Sequence, residues 1–205
     1  MRRFVIVGQR ARTMPDFSLS DIPSTSGRLD VLLRCLRAGL LVSHGVRRDT
    51  AVYLCLLGTP ERPRTIRFEG PAARYMRPDE RSLASVVRKA LNTAADGGGF
   101  TQVREGIAVA DGGLPLLWRE LSGSALYVLE EAAPDIRGEL FEAEDLTFVL
   151  GDHVGFPEDV RAELAGRGAR PISVGPVSLH AEDVVALVAN ELDRRAVLAA
   201  PSLRG

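Results

Sequence analysis

Alternation limits this chain more than any other feature. Short apolar runs bounded by Gly and Pro take turns with longer amphipathic stretches along most of its length. Residues 3–8, 51–57, 64–69, 125–130, 146–150 and 171–174 have the length and composition of strands. Between them, residues 27–43 carry Leu29, Leu32, Leu33, Leu36, Leu40 and Leu41, a helical stripe. Residues 79–95, 114–121, 157–166 and 181–198 are further predicted helices, the first ending before the breaker Gly97-Gly98-Gly99. In the last of these, Ala181, Val184, Val185, Val188 and Leu192 share one face, and Leu187 lies off it. A polar run at 101–104 is one more strand, and residues 51–57 and 64–69 are joined through the turn Gly58-Thr59-Pro60. Such an order predicts an α/β fold with a largely parallel sheet flanked by helices. No repeat or low-complexity stretch interrupts it, so residues 1–205 read as one domain, with a frayed tail after Ala199.

At 205 residues the chain is long enough for a sizeable core. No apolar run reaches the roughly 20 residues that a membrane span needs, so no membrane partner is expected. The first apolar stretch, Phe4-Val5-Ile6-Val7, stops at Gly8 and is too short for a signal peptide. Cys35 and Cys55 form no CxxC pair and no metal-ligand spacing. They read as free core thiols in a reducing, cytoplasmic protein with no metal site. Charge is uneven: residues 1–48 hold nine Arg against three acids, and residues 130–163 hold eleven acids against two Arg. The amino-terminal part therefore suits a polyanion.

In open α/β sheets, ligands bind beyond the carboxyl ends of strands. Three such ends carry suitable residues: Leu129, the segment Gly151-Asp152-His153-Val154-Gly155, and Val174-Gly175-Pro176-Val177-Ser178-Leu179. A Cβ at Gly151 would crowd either a backbone turn or a ligand. Spacing alone leaves these loops equally readable as plain strand-to-helix turns. Neither a dinucleotide fingerprint nor a Walker lysine motif is present.

Several stretches together resemble one family. FVLGDHVGF (148–156), ISVGPVSLHAEDVVALVANELDR (172–194), ARTMPDFSLSDIP (11–23), GRLDVLLRCLRAGLLVSHGVRRD (27–49), RTIRFEGP (64–71) and RPDERS (77–82) are similar, in the same order, to the archaeal tRNA pseudouridine N1-methyltransferases called TrmY. The resemblance implies the SPOUT fold, with a deep trefoil knot over roughly residues 125–198. It implies S-adenosyl-L-methionine (SAM) bound by Leu129, Gly151, Val174, Gly175, Pro176, Val177, Ser178 and Leu179, with Val184 against it. The family usually has Cys where this chain has Val184, so a mechanism needing a thiol there does not carry over. A homodimer is implied too. So is methylation of N1 of pseudouridine at position 54 in the T-loop of tRNA, after a pseudouridine synthase has acted on the same RNA.

Other polar candidates keep two readings. Arg28 and Asp30 read as a bridge fixing a helix start, with direct catalysis as the alternative. Arg48 is a further candidate for stabilising an anion on the reacting ring. Arg10, Arg12, Arg47 and Arg48 read as an RNA-phosphate patch, against a solvated turn at 47–49. His44, His153 and His180 read as loop or cap residues. No base-stacking aromatic platform is evident. The competing functions are a SPOUT enzyme acting on a ribosomal-RNA pseudouridine or a ribose 2′-hydroxyl, and a non-catalytic RNA-binding homologue.

Overall fold

The computed structural model describes residues 1–59, 62–95 and 97–199. Pro60 and the tail beyond Ala199, both used above, lie outside those residues. In chain order the elements are β1 (Arg2–Gly8), α1 (Ile22–Thr25), α2 (Leu29–Leu40), β2 (Leu41–Val42), β3 (Gly45–Val46), β4 (Thr50–Leu56), β5 (Arg64–Glu69), α3 (Glu80–Asn92), β6 (Thr101–Arg104) and β7 (Ile107–Asp111). There follow α4 (Leu114–Glu120), β8 (Ala125–Leu129), β9 (Leu146–Gly151), α5 (Glu158–Gly166), β10 (Arg170–Ile172) and α6 (Ala181–Ala199).

Eight strands form one sheet in the order β10-β8-β9-β1-β4-β5-β7-β6. The pairings from β10 through β4 are parallel, and those among β4, β5, β7 and β6 are antiparallel. The expected parallel sheet is therefore present and extended by an antiparallel edge. The cause is connection length. Seven residues separate β4 from β5, too few for a crossover, so β5 returns antiparallel. Sequence pattern missed β7, because IAVAD is short and Ala-rich, and it also missed the hairpin of β2 and β3.

Alternation along β1 sets the two layers. Phe4 and Ile6 point to a core shared with α2, α3 and α6, whereas Val5 and Val7 point to a second core under α4 and α5. Phe4 and Tyr127 ring-pack on Phe148 at centroid distances of 5.7 and 5.4 Å. Two side-chain oxygens settle where helices start. The buried Ser26 hydroxyl accepts from the Leu29 N–H at 3.1 Å, and Asp79 accepts from the Ser82 N–H at 2.8 Å. Pro157 sits one residue outside α5, at its amino-terminal cap.

Candidate active site

The carboxyl ends of β8, β9 and β10 meet beside the first turns of α2 and α6 and leave a cavity of about 910 Å³. Ligand sites typically run from about 300 to 1,000 Å³. Leu129, Gly151, Val174, Gly175, Val177, Ser178, Leu179 and Val184 line it. Pro176 shares the loop but is exposed and does not line the cavity.

Backbone, more than side chains, shapes this end. A Cβ on Gly151 would stand 2.9 Å from the Gly155 carbonyl carbon and 3.0 Å from its Cα. The backbone turn expected to crowd Gly151 is therefore in place. Asp152, 7% exposed, accepts from the Gln9 N–H and the Val154 N–H, each at 2.9 Å. The Gln9 amide in turn donates to the Gly155 carbonyl. The loop after β9 is thereby clamped to the chain leaving β1. Opposite it, the Ser178 hydroxyl donates to the Glu131 carboxylate at 2.5 Å, linking the loops after β10 and β8. Val154, Val177 and Leu179 nevertheless remain 47, 66 and 42% exposed at the rim.

A charged cluster braces the helix side. Arg28 grips Asp30 with Nε at 3.0 Å and Nη2 at 3.1 Å, and Arg34 Nη1 reaches Asp30 at 3.0 Å. Arg34 Nε also donates to Glu182 of α6 at 2.7 Å. Burial raises the Asp30 carboxyl pKa, but the bonds from Arg28 and Arg34 outweigh it and hold the group below its ordinary value. The bridge reading of Arg28 and Asp30 thus describes the geometry. Arg28 does more, since it lines the cavity and stays partly exposed. Its backbone has φ +67°, unusual for a non-glycine residue.

The four arginines expected to form one patch are divided. Arg10 follows the carboxyl end of β1, and Arg48 precedes the amino end of β4, which runs parallel to β1 with Arg2 opposite Thr50. Within one chain they flank opposite ends of the sheet. Arg12 pairs with Asp16, with Nε at 2.9 Å. Arg47 holds both Asp193 oxygens at 2.8 Å, and Arg48 donates to the Gly70 carbonyl at 2.9 Å. Arg48 is also remote from the cavity of its own chain, so it cannot stabilise an anion there.

Among the described residues no helix is long and apolar enough to cross a membrane, and no group of three or more His, Cys, Asp or Glu is placed to hold a metal ion. A family described as "Putative SAM-dependent RNA methyltransferase" matches residues 1–197. This chain belongs to that family. A Methanosarcina acetivorans protein named tRNA (pseudouridine(54)-N(1))-methyltransferase is 45% identical over 194 residues, covering 95% of this chain and 92% of that protein. Its Methanosarcina mazei counterpart of the same name is 44% identical with the same coverage. In fold the chain resembles Archaeoglobus fulgidus Nep1 bound to S-adenosylhomocysteine, with a TM-score of 0.64 at 19% identity, covering 95% of this chain and 98% of that one.

For this family member, reading the sequence missed Asp152, Gln9, Arg34, Glu131 and Glu182 as parts of the site. Arg34 left one signal, its four-residue spacing from Asp30 on a helix. The others come together only through the sheet.

Proposed function

We propose that this protein transfers a methyl group from SAM to N1 of pseudouridine 54 in the T-loop of tRNA. The observation that carries the reading is the cavity at three parallel strand ends, rimmed by apolar side chains that the fold leaves uncovered, in a chain 45 and 44% identical to two proteins named for that activity. The residues fit the cofactor. Leu129, Val174, Val177, Leu179 and Val184 offer an apolar bed, and the glycine loops would present backbone N–H and C=O groups to an adenine edge. Pro176, outside the lining, would act by fixing the loop between Gly175 and Val177. When bound, SAM supplies an electrophilic methyl group.

The protein's own work is positioning. Aligning a ring nitrogen with the methyl group lowers the barrier by roughly 7–11 kcal/mol without a dedicated strong base. Arg28, braced by Asp30 and facing the cavity, stabilises the negative charge that develops on the ring as the N1 proton passes to solvent water. Arg10, at the carboxyl end of β1 and so at the same end of the sheet as the cavity, contributes a phosphate contact, and Arg12 does so only by releasing Asp16.

The same reading makes residues 1–205 one SPOUT domain, which the single eight-stranded sheet supports, with its segment 125–198 knotted. A homodimer through α6 is supported by Leu187, Val197 and Leu198, exposed by 43, 75 and 82%. A pseudouridine synthase acts first on the same RNA, in the cytoplasm. Uridine has its corresponding ring nitrogen bonded to ribose, so it lacks the nucleophile. Matched tRNA transcripts with uridine or pseudouridine at position 54 test this, read by nucleoside mass analysis after incubation with SAM. Only the pseudouridine transcript gains a methyl group; comparable methylation of the uridine transcript overturns the assignment.

A further inference from the structure

Tyr75 departs from the rest of the surface in two ways. It is 94% exposed, the most exposed large hydrophobic side chain among the described residues. Its backbone φ is +53°, in the left-handed region that bulky residues avoid. Strain of this kind persists only where the surroundings over-determine the backbone, and here they do. On one side Ala73 is fully buried, and its N–H donates to the Glu69 carbonyl at 2.8 Å. Gly106 lies so close beneath that a Cβ there would stand 2.3 Å from the Ala73 nitrogen. On the other side Met76 packs against the core and meets Arg104 Nη2 at 3.3 Å. Arg48 ties the near end down through the Gly70 carbonyl at 2.9 Å and the Ala73 carbonyl at 3.4 Å. The chain is pinned at Ala73 and Met76, so the strained residue between them projects its ring into solvent.

Folding gains little from that arrangement, because an aromatic ring stabilises a fold by leaving water. The neighbours suggest what it serves. Arg74 and Arg77 are exposed. Arg74 approaches Glu105 at no less than 3.8 Å, and Arg77 forms no ion pair among the described residues. An exposed ring set between weakly compensated guanidinium groups is the combination that grips single-stranded nucleic acid: a π-face for a base and cations for the adjoining phosphates.

We propose that loop 71–78 is a second RNA contact outside the cavity, in which Tyr75 stacks on an unpaired base and Arg74 and Arg77 hold the phosphates beside it. The proposal rests on the RNA-methyltransferase reading above. Its location adds a selection rule. The loop follows the carboxyl end of β5, where Glu69 pairs with Ala51 near the start of β4, so it sits a strand length from the cavity end, roughly 20 Å. A nucleoside cannot bridge that span, whereas a folded RNA can engage both. Arg48 then serves RNA by bracing the loop.

The test compares Tyr75→Ala, Tyr75→Phe and Tyr75→Gly for affinity to a tRNA transcript, affinity to SAM, methyl-transfer kinetics and thermal unfolding. Losing one stacked base weakens tRNA binding roughly 5- to 100-fold in the Ala variant, raising KM for tRNA with kcat and SAM affinity unchanged. Phe restores binding, because stacking needs the ring and not the hydroxyl. Gly loses binding like Ala while its melting temperature rises, because the strain is relieved. Wild-type tRNA affinity in the Ala variant overturns the proposal, and so does an Ala variant that instead breaks a dimer apart, which would make Tyr75 a protein contact. The two readings fail separately. Tyr75-dependent tRNA binding without methyl transfer by the wild-type protein removes the proposed reaction and keeps the platform. Normal methylation with Tyr75-independent binding removes the platform alone.

Discussion

At the carboxyl ends of β8, β9 and β10, glycine loops and exposed apolar side chains surround a cavity. At the other end of the same sheet, Arg47 holds Asp193 and the exposed Arg48 donates through Nη1 to backbone carbonyls. Both ends looked functional by residue type. They differ in whether their polar groups already have partners. A side chain whose hydrogen-bonding capacity is spent inside the protein must break those bonds before it can serve a ligand, whereas an uncovered apolar surface gains free energy whenever something covers it.

The sharpest way to break this comparison is at Gly151. A Gly151→Leu variant drives its side chain into the Gly155 backbone and displaces the loop that Asp152 and Gln9 clamp. SAM binding by calorimetry falls below detection while far-UV circular dichroism stays near wild type. A folded variant with unchanged affinity would move the cofactor to another part of the molecule.

Asp193→Ala probes the opposite end. It leaves Arg47 and Arg2 without their shared carboxylate. Because that carboxylate is more than a third exposed, the loss is about 1–2 kcal/mol, a drop in melting temperature of about 2–4 °C for each kcal/mol. SAM affinity does not change. A variant that keeps wild-type stability but loses tRNA binding would return Arg47 to the RNA surface.

The smallest effect belongs to Arg10→Ala. Arg10 is exposed beside the cavity end, and removing one phosphate contact lowers the salt slope of tRNA binding by about one unit. Stability and SAM affinity stay as they were. An unaltered slope would leave loop 71–78 as the main candidate for phosphate contacts.

Local pattern was enough to locate most elements. The apolar period of α6 puts Val185, Val188 and Leu192 inward and leaves Leu187 out, as observed. The runs that became β1, β4 and β9 are buried throughout or nearly so, as parallel strands covered on both faces should be. The loops at strand ends were also legible, since Gly and Pro punctuate them. Asp152 was not, although it stands inside a quoted motif, because its partner Gln9 is 143 residues away. The partners of Arg48 were hidden for the same reason. Its carbonyl partners lie 22 or more residues on, beyond two strands. Tyr75 was passed over because exposure and backbone strain are properties of the folded chain.

By itself the sequence determined most of the elements, their alternation, the family and the loops that end the strands, because helical and strand periods and turn residues act over a few positions. The tertiary structure decided which charges were free. Every arginine carries the same charge, and whether it meets Asp193, a backbone carbonyl or open solvent depends on strand order and register, which bring together residues that are distant in the chain.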